Sequence, residues 1–82
     1  MSWVRGPYLW VRRPQEESRL VLVLRRKLGT AVARNRLKRR LRHICRELPV
    51  GPAGLVVLAQ PAAMEARFAA LREELNRLLS GL

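Results

Sequence analysis

Arg34-Asn35-Arg36-Leu37-Lys38-Arg39-Arg40-Leu41-Arg42-His43-Ile44-Cys45-Arg46 is the stretch that organises this chain. Wound at about 100° per residue, it gathers Leu37, Leu41, Ile44 and Cys45, with Leu48 beyond them, into one apolar stripe. Asn35, Lys38, Arg39, Arg42 and Arg46 fall on the opposite side within an arc of about 100°, and Arg36, Arg40 and His43 lie on a flank. The spacing predicts a helix from Ala31 to Leu48, entered through Gly29 with Thr30 as its N-cap. Lys38/Arg42 and Arg42/Arg46 set like charges at i,i+4, which destabilises an isolated helix. A face selected for folding alone would interleave glutamate. This one reads as a binding surface.

Apolar runs flank the helix on both sides. Leu20-Val21-Leu22-Val23-Leu24 and Leu55-Val56-Val57-Leu58-Ala59 each have the continuous pattern of a strand buried on both faces. Together with the helix they form a strand–helix–strand unit over residues 20–59. Pro49, Gly51, Pro52 and Gly54 make the intervening loop, which no helix could cross. Upstream, Tyr8-Leu9-Trp10-Val11-Arg12-Arg13 reads as a strand, and Trp3 and Val4 as a short one before Gly6. The linker to Leu20 is short enough for an antiparallel hairpin. Downstream, Pro61 suits the start of a second helix that runs to about Ser80, with Gly81 as its stop. Met64, Phe68, Leu71, Leu75 and Leu78 give it an apolar stripe, expected to cover the sheet of the Leu20–Leu24 and Leu55–Ala59 strands. Glu73 and Arg77 stand at the stabilising i,i+4 spacing. The order is β, β, α, β, α in one α+β domain spanning 1–82, with residues enough for a single small core.

Charge separates this chain from most small domains. Its net charge is +11, and ten of its seventeen Lys and Arg lie between Arg25 and Arg46, where there is no acid. From Glu47 onward three Arg face four Glu. Such concentration calls for a polyanion, with nucleic acid foremost, because neutralising phosphates releases counterions. An apolar fraction of 49% supplies a core and excludes a disordered basic tail. A single cysteine, Cys45, excludes an internal disulfide framework and fits a reducing, cytoplasmic setting. No run approaches a membrane span, and Met1–Arg13 lacks the apolar stretch of a secretory signal.

Catalytic chemistry finds little purchase. There is no Asp, and the six Glu sit in the Glu16-Glu17 turn or on helices near Arg, without a close apolar pocket for acid–base work. His43 lacks partners, Cys45 lies on the core stripe, and no spacing suggests a metal cage. No side chain is assigned a catalytic role.

Arg26-Lys27-Leu28-Gly29-Thr30-Ala31-Val32-Ala33-Arg34-Asn35-Arg36-Leu37-Lys38-Arg39-Arg40-Leu41-Arg42 closely resembles the protein subunit of bacterial ribonuclease P, whose members carry Lys-Lys-x-Gly-x-Ala-Val-x-Arg-Asn-Arg-x-Lys-Arg-x-x-Arg. Arg26 stands for the first Lys. Gly54-Leu55-Val56-Val57-Leu58-Ala59-Gln60-Pro61 resembles the family's last strand, where Arg usually precedes the Pro. The likeness covers roughly residues 5–80. It implies a small two-layer α+β sandwich whose basic helix crosses over between two strands of one sheet. That crossover is left-handed in the family, against the general preference.

The resemblance also implies a role. A catalytic RNA, with its Mg²⁺ ions, removes the 5′ leader from precursor tRNA, and the protein assists. By position, Arg34, Asn35, Arg36, Lys38, Arg39 and Arg42 would face that RNA, with Arg26 and Lys27 extending the patch and Arg46 continuing it along the helix. The leader would lie in a cleft between the sheet and this helix, stacked on aromatics. Tyr8 and Trp10, with Arg12 beside them, are the candidates, and the alternative that both aromatics simply pack the core stays open. Family members have an N-terminal helix and a Phe-containing strand ahead of the segment resembling Trp3–Gly6. The likeness thus reads this chain as an N-terminally short form, lacking part of the leader cleft, and His43 stands where Glu is common. No membrane and no small-molecule substrate are expected. Two other classes fit the basic helix less closely: a ribosome-associated structural protein, and a DNA-binding module with the helix in a major groove.

Overall fold

The Thr30 hydroxyl accepts a hydrogen bond from the Ala33 N–H at 3.1 Å, and from that cap the basic segment winds into α1, Ala31–Arg46. The computed structural model describes residues 3–48 and 53–82; most of the predicted Pro49–Gly54 loop lies outside them. Within that span the strands are β1 (Val4–Arg5), β2 (Leu9–Arg12), β3 (Val21–Val23) and β4 (Val56–Ala59), and the second helix is α2 (Phe68–Leu79). They form one four-stranded sheet in the order β1-β2-β4-β3. β1/β2 and β2/β4 are antiparallel, while β3 and β4 are parallel neighbours joined through α1. The two helices and the sheet enclose a single core.

Leu37, Leu41, Ile44, Cys45 and Leu48 all enter that core, as the stripe requires. They meet Leu9 and Val11 of β2, Leu55, Val57 and Ala59 around β4, and Leu71, Leu75 and Leu78 of α2. Each large side chain so buried contributes about 1.5–3 kcal/mol. α1 ends two residues earlier than predicted because the Glu47 N–H turns back to the carbonyls of Ile44 and Cys45.

Four expectations are corrected. β2 and β3 do not form a hairpin, because β4 inserts between them; the hairpin is β1–β2, closed by the Gly6 N–H on the Leu9 carbonyl at 2.8 Å. The linker is diverted by a turn at Pro14–Glu17, and the Glu17 carboxylate accepts from the N–H groups of Ser18 and Arg19. Second, burial on both faces holds for neither run in full: β4 is buried except for half-buried Leu58. Edge strand β3 is half-buried throughout, since among the described residues no strand pairs with one of its edges and α1 packs on its core side.

Third, the helix predicted from Pro61 is broken. Pro61–Glu65 is a 3₁₀ turn, Ala66 and Arg67 are extended (ψ 146° and 152°), and α2 begins at Phe68. Ala63 in the turn and Ala66 just after it are both buried in the core. Fourth, α2 packs on β2 and α1 rather than across β3 and β4.

Candidate nucleic-acid interface

α1 presents its basic side outward because its apolar stripe is held down. Asn35, Arg36, Lys38, Arg39, Arg40, Arg42 and Arg46 are all exposed. Among the described residues none of these six cations is in an ion pair. The nearest acids serve other partners: Glu47 pairs with His43 (2.8 Å) and Arg72 (3.4 Å), and Glu74 with Arg77. Arg39, Arg42, His43 and Arg46 surround a shallow hollow of about 200 Å³. The result is a row of unneutralised cations on a rigid element, suited to phosphates spaced along a backbone.

Arg34 differs from its neighbours. It is half-buried and its Nε donates to the Gly29 carbonyl at 3.2 Å, tying the first turn to the segment before it. Gly29 has φ +151°, a conformation that side-chain-bearing residues avoid. Arg26 and Lys27, in a 3₁₀ turn just ahead, are exposed and continue the patch past the helix start.

The three leader candidates are divided. Leu9 and Val11 are fully buried, so alternation along β2 turns Trp10 and Arg12 to the other sheet face, away from α1. They do not line a cleft between sheet and helix as expected, because α1 occupies the core side. Tyr8 shares their parity but leans half-buried on the core. Register brings two further residues beside Trp10 and Arg12: Arg5 pairs with Trp10, and Trp3 lies one step beyond Val4. The Trp3 and Trp10 rings are 6.4 Å apart; Arg5 lies over Trp10 at 4.5 Å and Arg12 over Trp3 at 4.9 Å. Alternating aromatic and guanidinium planes are the chemistry that stacks bases and holds phosphates. The sequence reading missed Trp3 and Arg5, and their signal was period two across a hairpin with Gly6-Pro7 at its tip.

Glu74 was also missed: it is a buried glutamate with a structural task that its sequence context did not announce. Only 2% exposed, its Oε2 accepts from the Tyr8 N–H at 2.9 Å and the Leu9 N–H at 2.7 Å. It thereby fastens α2 to the start of β2. A Cβ on Gly6 would stand 2.7 Å from this carboxylate, so glycine is what lets the hairpin close over it. Its place on the α2 stripe, three after Leu71 and four before Leu78, was the available clue. Cys45 is a buried structural thiol, with burial pushing its pKa from 9.0 up to about 11. Among the described residues no three or more His, Cys, Asp or Glu side chains converge as metal ligands.

The family model described as Ribonuclease P matches residues 5–82. The chain belongs to the ribonuclease P protein family. The ribonuclease P protein component of Thermus scotoductus is 48% identical over 81 residues, covering 95% of this chain and 50% of that one. This chain thus spans about half the length of the curated relatives it matches. The solved RNase P protein of Thermotoga maritima superposes with a TM-score of 0.77 at 31% identity, covering 99% of this chain and 83% of that one. That of Staphylococcus aureus shares the fold at 21% identity and TM-score 0.73, over 96% and 78%. Membership in the ribonuclease P family accords with the α1 register and with the β3–α1–β4 crossover. No helix among the described residues is long and apolar enough to cross a membrane.

Proposed function

We propose that this chain serves as a protein subunit of ribonuclease P, docking on the catalytic RNA and assisting Mg²⁺-dependent removal of the 5′ leader from precursor tRNA. The observation that carries this reading is the unpaired, acid-free row Lys38, Arg39, Arg42 and Arg46 on α1 in a member of the family. The row would neutralise phosphates of the structured RNA, giving strong, salt-dependent association. Mg²⁺ would be held by the RNA, since the docking face is lined by cations, which repel a divalent ion. The chain's own contribution is placement. On the opposite sheet face, Trp3, Trp10, Arg5 and Arg12 would stack and clamp single-stranded leader nucleotides, with Tyr8 supporting the strand beneath them. A cytoplasmic location goes with this role and with a free buried thiol.

Reconstitution with a bacterial ribonuclease P RNA at low Mg²⁺ tests the proposal. Addition of the protein should raise precursor-tRNA cleavage. Absence of any gain, with the protein folded and the RNA active at high Mg²⁺, would refute it.

A further inference from the structure

Between the open edge of β3 and the side of α1 runs a groove of about 430 Å³, lined by Glu17, Arg19, the Leu20–Leu22 segment, Lys38 and Arg42. Three of its side chains are cations. Its one acid, Glu17, is occupied, accepting from the N–H groups of Ser18 and Arg19. The groove floor offers donors as well. The Val21 N–H points to β4 through the Leu55 carbonyl at 2.9 Å, so alternation along a parallel strand sends the Leu22 N–H to the open side. Among the described residues no strand pairs with that edge.

We infer that this groove is a second track for the RNA's sugar–phosphate backbone, in which Arg19 and the Leu22 N–H extend the docking face from α1 onto the sheet edge. The inference rests on the reading that α1 docks on RNA. Lys38 and Arg42 belong to both surfaces, so one strand leaving the helix face is led along β3. Charge selects the occupant: three cations against one acid, with an outward amide, suit a polyanion and disfavour a basic peptide. Arg19 is exposed and forms no ion pair among the described residues, leaving its guanidinium available to a phosphate. A competing role for the same cations is to guard an open edge against pairing with another chain.

Arg19→Glu, Arg42→Glu and the control Arg67→Glu separate these roles when RNA binding is titrated from about 0.05 to 0.4 M salt. Loss of one phosphate contact flattens the log–log slope by about 0.9 and weakens binding at 0.1 M about eightfold, since 10 to the power 0.9 is ~8. Arg19→Glu should show that loss and Arg67→Glu should not. An Arg19→Cys protein carrying a tethered cleavage reagent gives a second readout, because buried Cys45 is poorly reactive in the folded chain. Cuts should fall on a short RNA stretch adjoining that cut from Lys38→Cys.

If Arg42→Glu weakens binding while Arg19→Glu stays within twofold and the reagent on Arg19→Cys directs no cuts, the track is refuted and the docking reading survives. If Arg42→Glu also has no effect, the docking reading itself fails. Unchanged RNA affinity with new self-association of Arg19→Glu would assign Arg19 to edge protection and overturn the inference.

Discussion

Glutamine at position 74 matches the shape of the glutamate while removing its charge, which isolates what the buried carboxylate contributes. An amide oxygen can take the place of Oε2 and keep both bonds, to Tyr8 N–H at 2.9 Å and Leu9 N–H at 2.7 Å. Bonds to a charged group contribute about 1.5–3 kcal/mol each and neutral ones about 0.5–1.5. Two bonds so weakened lose roughly 2–3 kcal/mol, and relief from burying a charge offsets part of it. Glu74→Gln should therefore cost about 1–2 kcal/mol.

Alanine removes the acceptor altogether, leaving two amides unpaired at about 1–3 kcal/mol each, with a cavity besides. Glu74→Ala should cost about 3–5 kcal/mol, a large part of the ~4–12 kcal/mol that a domain of this size commands. In thermal melts followed by circular dichroism, the glutamine variant should fall by about 5–15 °C and the alanine variant by clearly more. Both variants within about 0.5 kcal/mol of wild type, the range of ordinary surface changes, would show that the clamp does not hold α2 to the hairpin.

Charge, stacking and thiol burial give three further tests. Arg42→Glu should flatten the salt dependence of RNA binding by about 0.9 units while leaving the melt unchanged; an unaltered slope would mean that α1 has been assigned the wrong face. Trp10→Ala should weaken a leader-bearing precursor by about 1–3 kcal/mol and leave a leaderless tRNA unaffected, and equal losses on both would remove the sheet face from leader binding. Cys45 keeps its proton to about pH 11 when folded but releases it from 9.0 when unfolded, so its contribution is complete below pH 9 and is lost as pH rises to 11. Urea titrations across that window should show a steeper fall for wild type than for Cys45→Ala, and parallel curves would contradict the burial of the thiol.

The parts of the fold legible in the sequence were those written in local periodicity. Leu37, Leu41, Ile44, Cys45 and Leu48 repeat at helical spacing, and their burial follows from it, as does the outward turn of Lys38 and Arg42. Strand order was not legible. The β3 and β4 runs look alike, and only pairing across the sheet makes one central and the other an edge. The break at Ala66-Arg67 carries no Gly or Pro to announce it, and the alanines, Met64, Glu65 and Arg67 around it are all good helix formers, so local sequence gives no sign of it.

The exposed basic row could be read because one helix carries most of it, with Arg26 and Lys27 in the turn just ahead. The Trp3–Trp10 pair could not, since cross-strand register is needed to bring residues seven apart into contact. Glu74 was masked by type: a glutamate on a mixed-charge helix reads as solvated until its acceptor oxygen is found beneath two amides.

The attachment of α1 has a mechanical consequence. The helix leaves the end of β3 and returns to the beginning of β4, and those parallel strands are hydrogen-bonded neighbours. A partner tugging on the helix thus draws on opposite ends of two adjoining strands. Their ladder is loaded in shear, so its bonds resist together instead of parting one at a time. A helix strapped to the sheet at both ends spreads the strain from any partner through the sheet before it can be peeled away.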